Sequence, residues 1–495
     1  MLEPRRLAAR TAARRIATEH GWKLGQECGY QVRFDNQTSR ATRIVAMTDG
    51  ILLRRLQDDS FLEGVAAVLF DEFHERRLES DLALGMVRRV QQTVRPDLKI
   101  VVMSATLTPA PLVEFLGDCV VVESAGRMFP VDVRYAGAHD RRPLPVRMAA
   151  GIEEMLAKSQ GDLLAFLPGV GEIHRTAREI EPLARRHDLL VMPLFGDMDP
   201  DSQDEVLRPQ SQRKVVLATN VAETSVTIEG ITGVVDSGLA KIMQFDPHVG
   251  LDRLELTPIS KASADQRAGR AGRLQPGACL RLWDESSHRS RREYEQADIR
   301  RVDLSGAVLQ LRCWGEADVR AFPWFEAPTT EQVTGAELLL RRLGALDDNG
   351  VTEVGRRMAR LPVQPRLARL IVAGVEYGCA ERAAAAASSC YRNATRFGIR
   401  TSRSWLPARM RTHRILPTWL TGSSCWRSTS ATDGQDHHAG QLQEAAALTV
   451  FRATSCTEFA GGAVPGGRSR SFGRAAESID NQSQLGFDHS GRSLA

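Results

Sequence analysis

Lysine is scarce in this chain of 495 residues: six of its 65 basic residues are Lys, and the last is Lys261. That bias reflects a GC-rich genome rather than a binding preference. No Gly-Lys dipeptide occurs anywhere, which excludes a Gly-x-x-x-x-Gly-Lys-Ser/Thr phosphate loop within these residues. No stretch approaches the ~18 consecutive apolar residues of a spanning helix, so no membrane partner is expected. No fixed Gly, heptad or Pro period runs through the chain, which sets aside collagen-like, coiled-coil and mucin-like classes. None of the eight cysteines (28, 119, 279, 313, 379, 390, 425 and 456) has the spacing of a zinc ribbon or a thioredoxin-like pair. Single scattered cysteines predict a reducing, cytoplasmic setting.

What remains is the balance of an ordinary globular protein, with 42% hydrophobic and 25% charged residues. The length suits about three or four domains. The net charge of +4 is unevenly spread. Residues 389–495 hold 13 Arg against 7 acidic residues, whereas the first 388 hold 52 basic and 54 acidic residues. The pI of about 8.7 therefore says nothing about nucleic-acid binding, which has to be argued from sites.

Short apolar runs alternate with amphipathic stretches up to about residue 285. Residues 65–70, 99–103, 162–166, 214–217 and 233–235 are β-branched-rich, apolar on both faces, and end in polar or Gly-containing turns. Parallel strands buried beneath helices read this way, with functional loops at their C-terminal ends. Helical spacing runs over 149–159 and 172–187. The pattern predicts an α/β fold in two units that divide near residues 125–145, where Gly and Pro accumulate. Beyond residue 300, amphipathic helices at 304–311 and 335–346, with a turn at 346–351, predict a small helical or winged-helix module. A further helix opens at 380–387, and near Ser388 the periodicity stops.

Four segments carry chemistry. The run at 65–70 ends in Asp71-Glu72-Phe73-His74, and two adjacent carboxylates at a strand end can hold Mg²⁺ and orient water. Solvated loop acids are the commoner meaning of such a pair. Ser104-Ala105-Thr106 closes the next run, and residues 218–228 (Ala-Thr-Asn-Val-Ala-Glu-Thr-Ser-Val-Thr-Ile) follow a strand of the second unit. Residues 266–273 (Gln-Arg-Ala-Gly-Arg-Ala-Gly-Arg) space three arginines by three on an expected helix. Gly at alternate places costs helix stability, so a plain basic surface helix is a poor account of that run.

Taken in order, these segments resemble the motifs of the DEAH/RHA group of superfamily 2 helicases, most closely the bacterial HrpB type. Residues 2–9 (Leu-Glu-Pro-Arg-Arg-Leu-Ala-Ala) resemble motif Ia and 48–52 motif Ib; 71–74 resemble motif II and 104–106 motif III. Residues 166–169 resemble motif IV, 218–228 motif V and 266–273 motif VI. The Asp-Glu-Phe-His variant and residues 299–305 (Ile-Arg-Arg-Val-Asp-Leu-Ser) indicate the HrpB type. The resemblance covers residues 1 to about 388. It implies a RecA-like domain 1 over 1–130, which lacks the phosphate loop, and a RecA-like domain 2 over 131–290. A winged-helix/helical module over 300–388 follows, and then a disordered tail.

The resemblance also implies an ATP-dependent helicase acting on single-stranded nucleic acid, RNA rather than DNA. Asp71 and Glu72 are expected at Mg²⁺, with Glu72 activating water. His74, Ser104 and Thr106 are expected to couple nucleotide state to domain movement. Gln266, Arg270 and Arg273 are expected to face the triphosphate of ATP. Arg5, Arg6, Thr48, Asp49, Gly50 and Thr219 are expected to line the strand path.

Two departures stand out. In the family a phosphate loop precedes motif Ia, so these residues are expected to lack one strand–loop–helix unit and to turn over no ATP. The rival expectation for the chain is therefore a non-catalytic nucleic-acid binder. Residues 236–239 (Asp-Ser-Gly-Leu) also stand where many relatives place an aromatic that stacks on a base. The tail 389–495 is expected to be out of frame. One permissible coding from Ser389 onward gives, two bases later, Leu-Leu-Ser-Glu-Arg-Asp-Pro-Phe-Arg, which resembles the family's continuation.

Overall fold

The computed structural model describes residues 1–396, except 107, 118, 125, 127, 128, 138, 139, 225, 247 and 249. The expectations for the tail beyond residue 396 lie outside the described residues.

The first sheet is built from β1 (Leu2–Glu3), β2 (Cys28–Val32), β3 (Asp35–Gln37), β4 (Ile44–Thr48), β5 (Ala67–Phe70) and β6 (Lys99–Val102). Their order is β3-β2-β4-β1-β5-β6, with only the β2–β3 pair antiparallel. Helices α1 (Arg6–Glu19), α2 (Asp49–Asp58), α3 (Leu78–Thr93) and α4 (Pro109–Leu116) accompany it. Leu2 is in register with Phe70, and Phe70 with Val102. That register delivers Arg5, Asp71 and Ser104 to the same end of the sheet, where the loops of parallel strands carry ligand sites. β6 is an edge strand with no buried residue, Val101 is 42% exposed, and α4 buries none of its side chains.

The second sheet is wholly parallel. It contains β7 (Val131–Tyr135), β8 (Asp162–Phe166), β9 (Leu190–Leu194), β10 (Lys214–Ala218), β11 (Ile231–Asp236) and, after an antiparallel hairpin of β12 (Leu239–Asp246) and β13 (Leu251–Pro258), β14 (Gly277–Arg281). The order is β7-β14-β11-β8-β10-β9. Every residue of β10 and β11 is buried, as expected for strands covered on both faces. The helices of this unit are α5 (Leu144–Lys158), α6 (Val170–Glu179), α7 (Glu181–Arg186), α8 (Pro200–Leu207), α9 (Lys261–Gly269) and α10 (Glu285–Arg289). The helix expected over 172–187 is broken at Ile180, because Pro182 starts a new helix in α7.

The remaining helices are α11 (Ser305–Trp314), α12 (Thr330–Arg342), α13 (Glu353–Ala359), α14 (Pro365–Glu376) and α15 (Ala380–Arg396). A hairpin of β15 (Leu346–Asp347) and β16 (Gly350–Val351) joins α12 to α13. α12 begins five residues before the expected 335 because Thr329 and Gln332 form a reciprocal capping box. α15 runs through the boundary expected at 388–389 and reaches Arg396. This helical module shares one continuous core with the first sheet, in which Phe70, Phe73 and Leu82 pack with Val308, Leu340 and Ile371. Close approach at that seam requires Gly85: a Cβ there would meet the Phe322 ring at 2.5 Å.

Candidate functional site

Asp71 and Glu72 leave the end of β5, and an Asp71 carboxylate oxygen accepts the Glu72 backbone N–H at 2.8 Å. Glu72 and Arg76 both adopt left-handed backbone, at φ 50° and 47°, on either side of a single 3₁₀ turn, Phe73–Glu75. Two such non-Gly residues in so short a span are costly. They persist because Phe73 anchors the turn in the core, edge-on to Phe70 and Phe325. The Phe73 N–H donates to the Met103 carbonyl at 3.1 Å, which ties the loop of Ser104 and Thr106 to that of Asp71. Ser104 is exposed and Thr106 half-buried.

The turn aims His74 at the second α/β unit. His74 Nε2 lies 2.7 Å from Gln266 Nε2, and His74 Nδ1 lies 3.5 Å from a Glu72 carboxylate oxygen. Glu3 was not singled out in the sequence, yet it sits against both acids and is 2% exposed. Burial, then the nearby Asp71 and Glu72 carboxylates, push its carboxyl up to about 9. It sits at the end of β1, between β4 and β5 in the sheet.

The arginine run does not form one helix. α9 ends at Gly269, and Arg270–Gly272 forms a 3₁₀ turn. Arg267 is a core residue, 1% exposed, paired with Glu223 at 2.8 Å and Asp236 at 2.9 Å and stacked over Phe166. Arg270 donates to the Val226 carbonyl at 2.8 Å and to the Glu223 carbonyl; Arg273 donates to the Thr227 hydroxyl. Burial, then repulsion from Arg273, pushes the Arg270 guanidinium down to about 9, against the pull of Glu72. It stays a cation at neutral pH.

On the other side of the interface, a cavity of about 410 Å³ is lined by both α/β units. Arg5, Arg6, Thr48, Asp49, Gly50 and Thr219 all line it, joined by Arg33, Arg77 and Asn220, which sequence reasoning missed. Burial pushes the Asp49 carboxyl up to about 6 despite Arg77 and the Ser80 hydroxyl, which donates at 2.8 Å. Arg6 donates to the Gly196 carbonyl, and the buried Arg10 to Gln203, so α1 crosses to the second unit beside the cavity.

Residues 148–275 match the family described as Helicase conserved C-terminal domain. Residues 336–363 match the Helicase associated domain (HA2), winged-helix. The chain is 43% identical over 376 residues to ATP-dependent RNA helicase HrpB of Escherichia coli (strain K12), covering 75% of this chain and 46% of that protein. It is 38% identical over 387 residues to an ATP-dependent RNA helicase HrpA homolog of Haemophilus influenzae, covering 76% and 30%. A crystal structure of Escherichia coli DEAH/RHA helicase HrpB superposes with a TM-score of 0.74 at 38% identity, covering 90% of this chain and 54% of that one.

Together these matches support a DEAH/RHA helicase of HrpB type. The chain spans about half the length of that HrpB and less of the HrpA homolog. The stretch matching the helicase C-terminal domain contains the whole of residues 266–273, including the His74 partner Gln266. ATP and Mg²⁺ are tested by the donor set. Mg²⁺ takes one or two carboxylates plus phosphate oxygens, and Asp71 and Glu72 fit that need. A triphosphate needs a cradle of loop N–H groups and a lysine, which these residues do not provide. Among the described residues, no group of three or more His, Cys, Asp or Glu is disposed to hold a metal by itself. No described helix is long and apolar enough to cross a membrane.

Proposed function

We propose that the chain acts on single-stranded RNA as an HrpB-type helicase does, with the two α/β units gripping the strand between them. The observation that carries this reading is the cavity: six residues expected to line a strand path converge there from both units. Arg5 and Arg6 give phosphate contacts, and the Thr48 and Thr219 hydroxyls give neutral ones. Across the interface, Asp71 and Glu72 are the metal and water acids, while His74, Ser104 and Thr106 pass nucleotide state to the domain contact. Gln266, Arg270 and Arg273 are the groups that face a triphosphate. Mg²⁺ bound there would supply charge neutralisation for phosphoryl transfer.

A second reading is favoured by the missing cradle: a polypeptide of these 495 residues binds RNA without turning over ATP. Positioning and charge stabilisation supply most phosphoryl-transfer catalysis, and Glu72 with two arginines cannot position a triphosphate. The test pairs RNA-binding anisotropy with an ATPase assay on the 495-residue chain. Salt-sensitive RNA binding weakened by Arg6→Ala, with no turnover, is expected. RNA-stimulated turnover abolished by Glu72→Gln would refute the second reading and leave the first standing. Where a phosphate loop is supplied ahead of Leu2, Arg270→Ala or Arg273→Ala is expected to cut turnover roughly 10³-fold.

A further inference from the structure

Three side chains meet on one carboxylate oxygen between the two halves of the interface. Arg5 Nη1 donates to Glu75 Oε1 at 2.6 Å, and the Thr224 hydroxyl donates to the same oxygen at 2.5 Å. Arg5 Nη1 and Thr224 Oγ1 are themselves 2.5 Å apart. Each member belongs to a different part of the machinery. Arg5 lines the cavity. Glu75 ends the 3₁₀ turn that opens after Glu72. Thr224 follows Glu223, which pairs with Arg267 and receives Arg270 on its carbonyl. The Arg5 and Glu75 side chains are only 22% and 15% exposed, so their attraction is screened less than that of a surface pair.

We propose that Glu75 is a positioning residue that withholds Arg5 from the strand's phosphates while the Thr224 hydroxyl is docked. A charge-assisted contact at 2.6 Å has the length of a strong guanidinium–carboxylate bond. A phosphate entering the cavity must compete with that carboxylate for the same guanidinium. The Thr224 hydroxyl, reaching over from the second unit, helps fix the carboxylate in place. When the units part, the Thr224 bond is lost and Arg5 is held by one carboxylate alone. Strand grip and separation of the units therefore draw on one cation. This rests on the reading of the cavity as a strand path.

The test is anisotropy of a short fluorescein-labelled oligo(U) RNA with the 495-residue chain, across about 50 to 200 mM KCl. Each phosphate contact on a single strand steepens the log–log salt slope by about 0.7. Glu75→Gln is expected to tighten binding at low salt and steepen the slope by about that amount. The gain then shrinks roughly 2.6-fold over the range. Adding Arg5→Ala to Glu75→Gln is expected to abolish the gain. Glu75→Asp keeps the charge but shortens its reach, and should move in the same direction if Glu75→Gln fails to fold. A slope unchanged or flattened by both Glu75 variants, or a gain that survives the addition of Arg5→Ala, overturns the proposal. A parent chain that binds oligo(U) without salt dependence overturns the strand-path reading and this proposal together.

Discussion

His74 and Gln266 are separated by 192 positions in the chain, yet their Nε2 atoms lie 2.7 Å apart across the interface between the α/β units. An amide nitrogen only donates, so in this arrangement the imidazole presents a lone pair to it. The other ring nitrogen, Nδ1, faces the Glu72 carboxylate at 3.5 Å. One imidazole thus lies between a carboxylate of the first unit and an amide of the second.

That geometry makes the two residues energetically one object. His74→Ala and Gln266→Ala are each expected to cost about 1–3 kcal/mol, because each leaves a desolvated polar partner. The double variant should cost clearly less than the sum, with a coupling of about 0.5–3 kcal/mol. Urea unfolding of the four proteins measures it, and additive losses would place the two side chains apart in solution.

Arg267 is expected to be the most stability-critical of the three motif VI arginines. Removing it strands Glu223 and Asp236 without their cation in the interior. Arg267→Ala should therefore cost about 3–5 kcal/mol. Arg273→Ala, at an exposed position, should stay within about 1 kcal/mol. Equal losses for the two would remove Arg267 from the core.

Much of this was legible beforehand. The strands at 162–166 and 214–217 came out within a residue, because continuous apolar runs bounded by polar turns have few other meanings. The six residues expected along a strand path line one cavity. The different fates of the three arginines were not legible: spacing by three cannot tell which guanidinium meets a buried acid, and Asp236 lies 31 residues from Arg267. Glu3 and Arg33 were missed because their neighbours come from distant strands. The fusion of the helical module with the first sheet was missed for the same reason, since sequence order places that module after the second.

The hairpin of β12 and β13 meets this module at an acid whose titration should be visible. Asp252 accepts the Asp303 N–H at 3.0 Å and the Gln364 amide at 2.5 Å, with the Asp303 and Asp298 carboxylates nearby. Burial, and then those carboxylates, push its carboxyl up to about 6. A raised folded-state value means the fold holds the proton more tightly than the unfolded chain. The stabilisation is therefore full below about pH 4 and is lost as pH rises through 6. Asp252→Asn should flatten this dependence and gain about 1–2 kcal/mol over the parent at pH 7. Denaturation midpoints at pH 4.5 and 7 decide it; parallel shifts at both would contradict the assignment.

The uncovered edge at β6 should govern how the protein behaves in concentrated solution. Among the described residues β6 is the last strand of its sheet, and an apolar edge strand is a template for strand addition. Val101→Lys is expected to lower the aggregation rate and leave the melting temperature within about 2 °C, since Val101 packs little. Light scattering on warming measures the first. An unchanged rate would clear this edge of responsibility.

Arg76 reaches Asp81 at 2.9 Å and Glu326 at 3.0 Å, lies over the Phe325 ring, and gives its carbonyl to the Asp298 N–H. Arg300 binds the other oxygen of Glu326 at 2.6 Å. The turn bearing His74 and Glu75 is thus bolted at its far end to the helical module, by residues that do not line the cavity. In genetic terms, compensating changes for a defect at Asp81 or in that turn should be sought at Glu326 and Arg300. Selection could retune the interface between the α/β units from there while leaving every motif untouched.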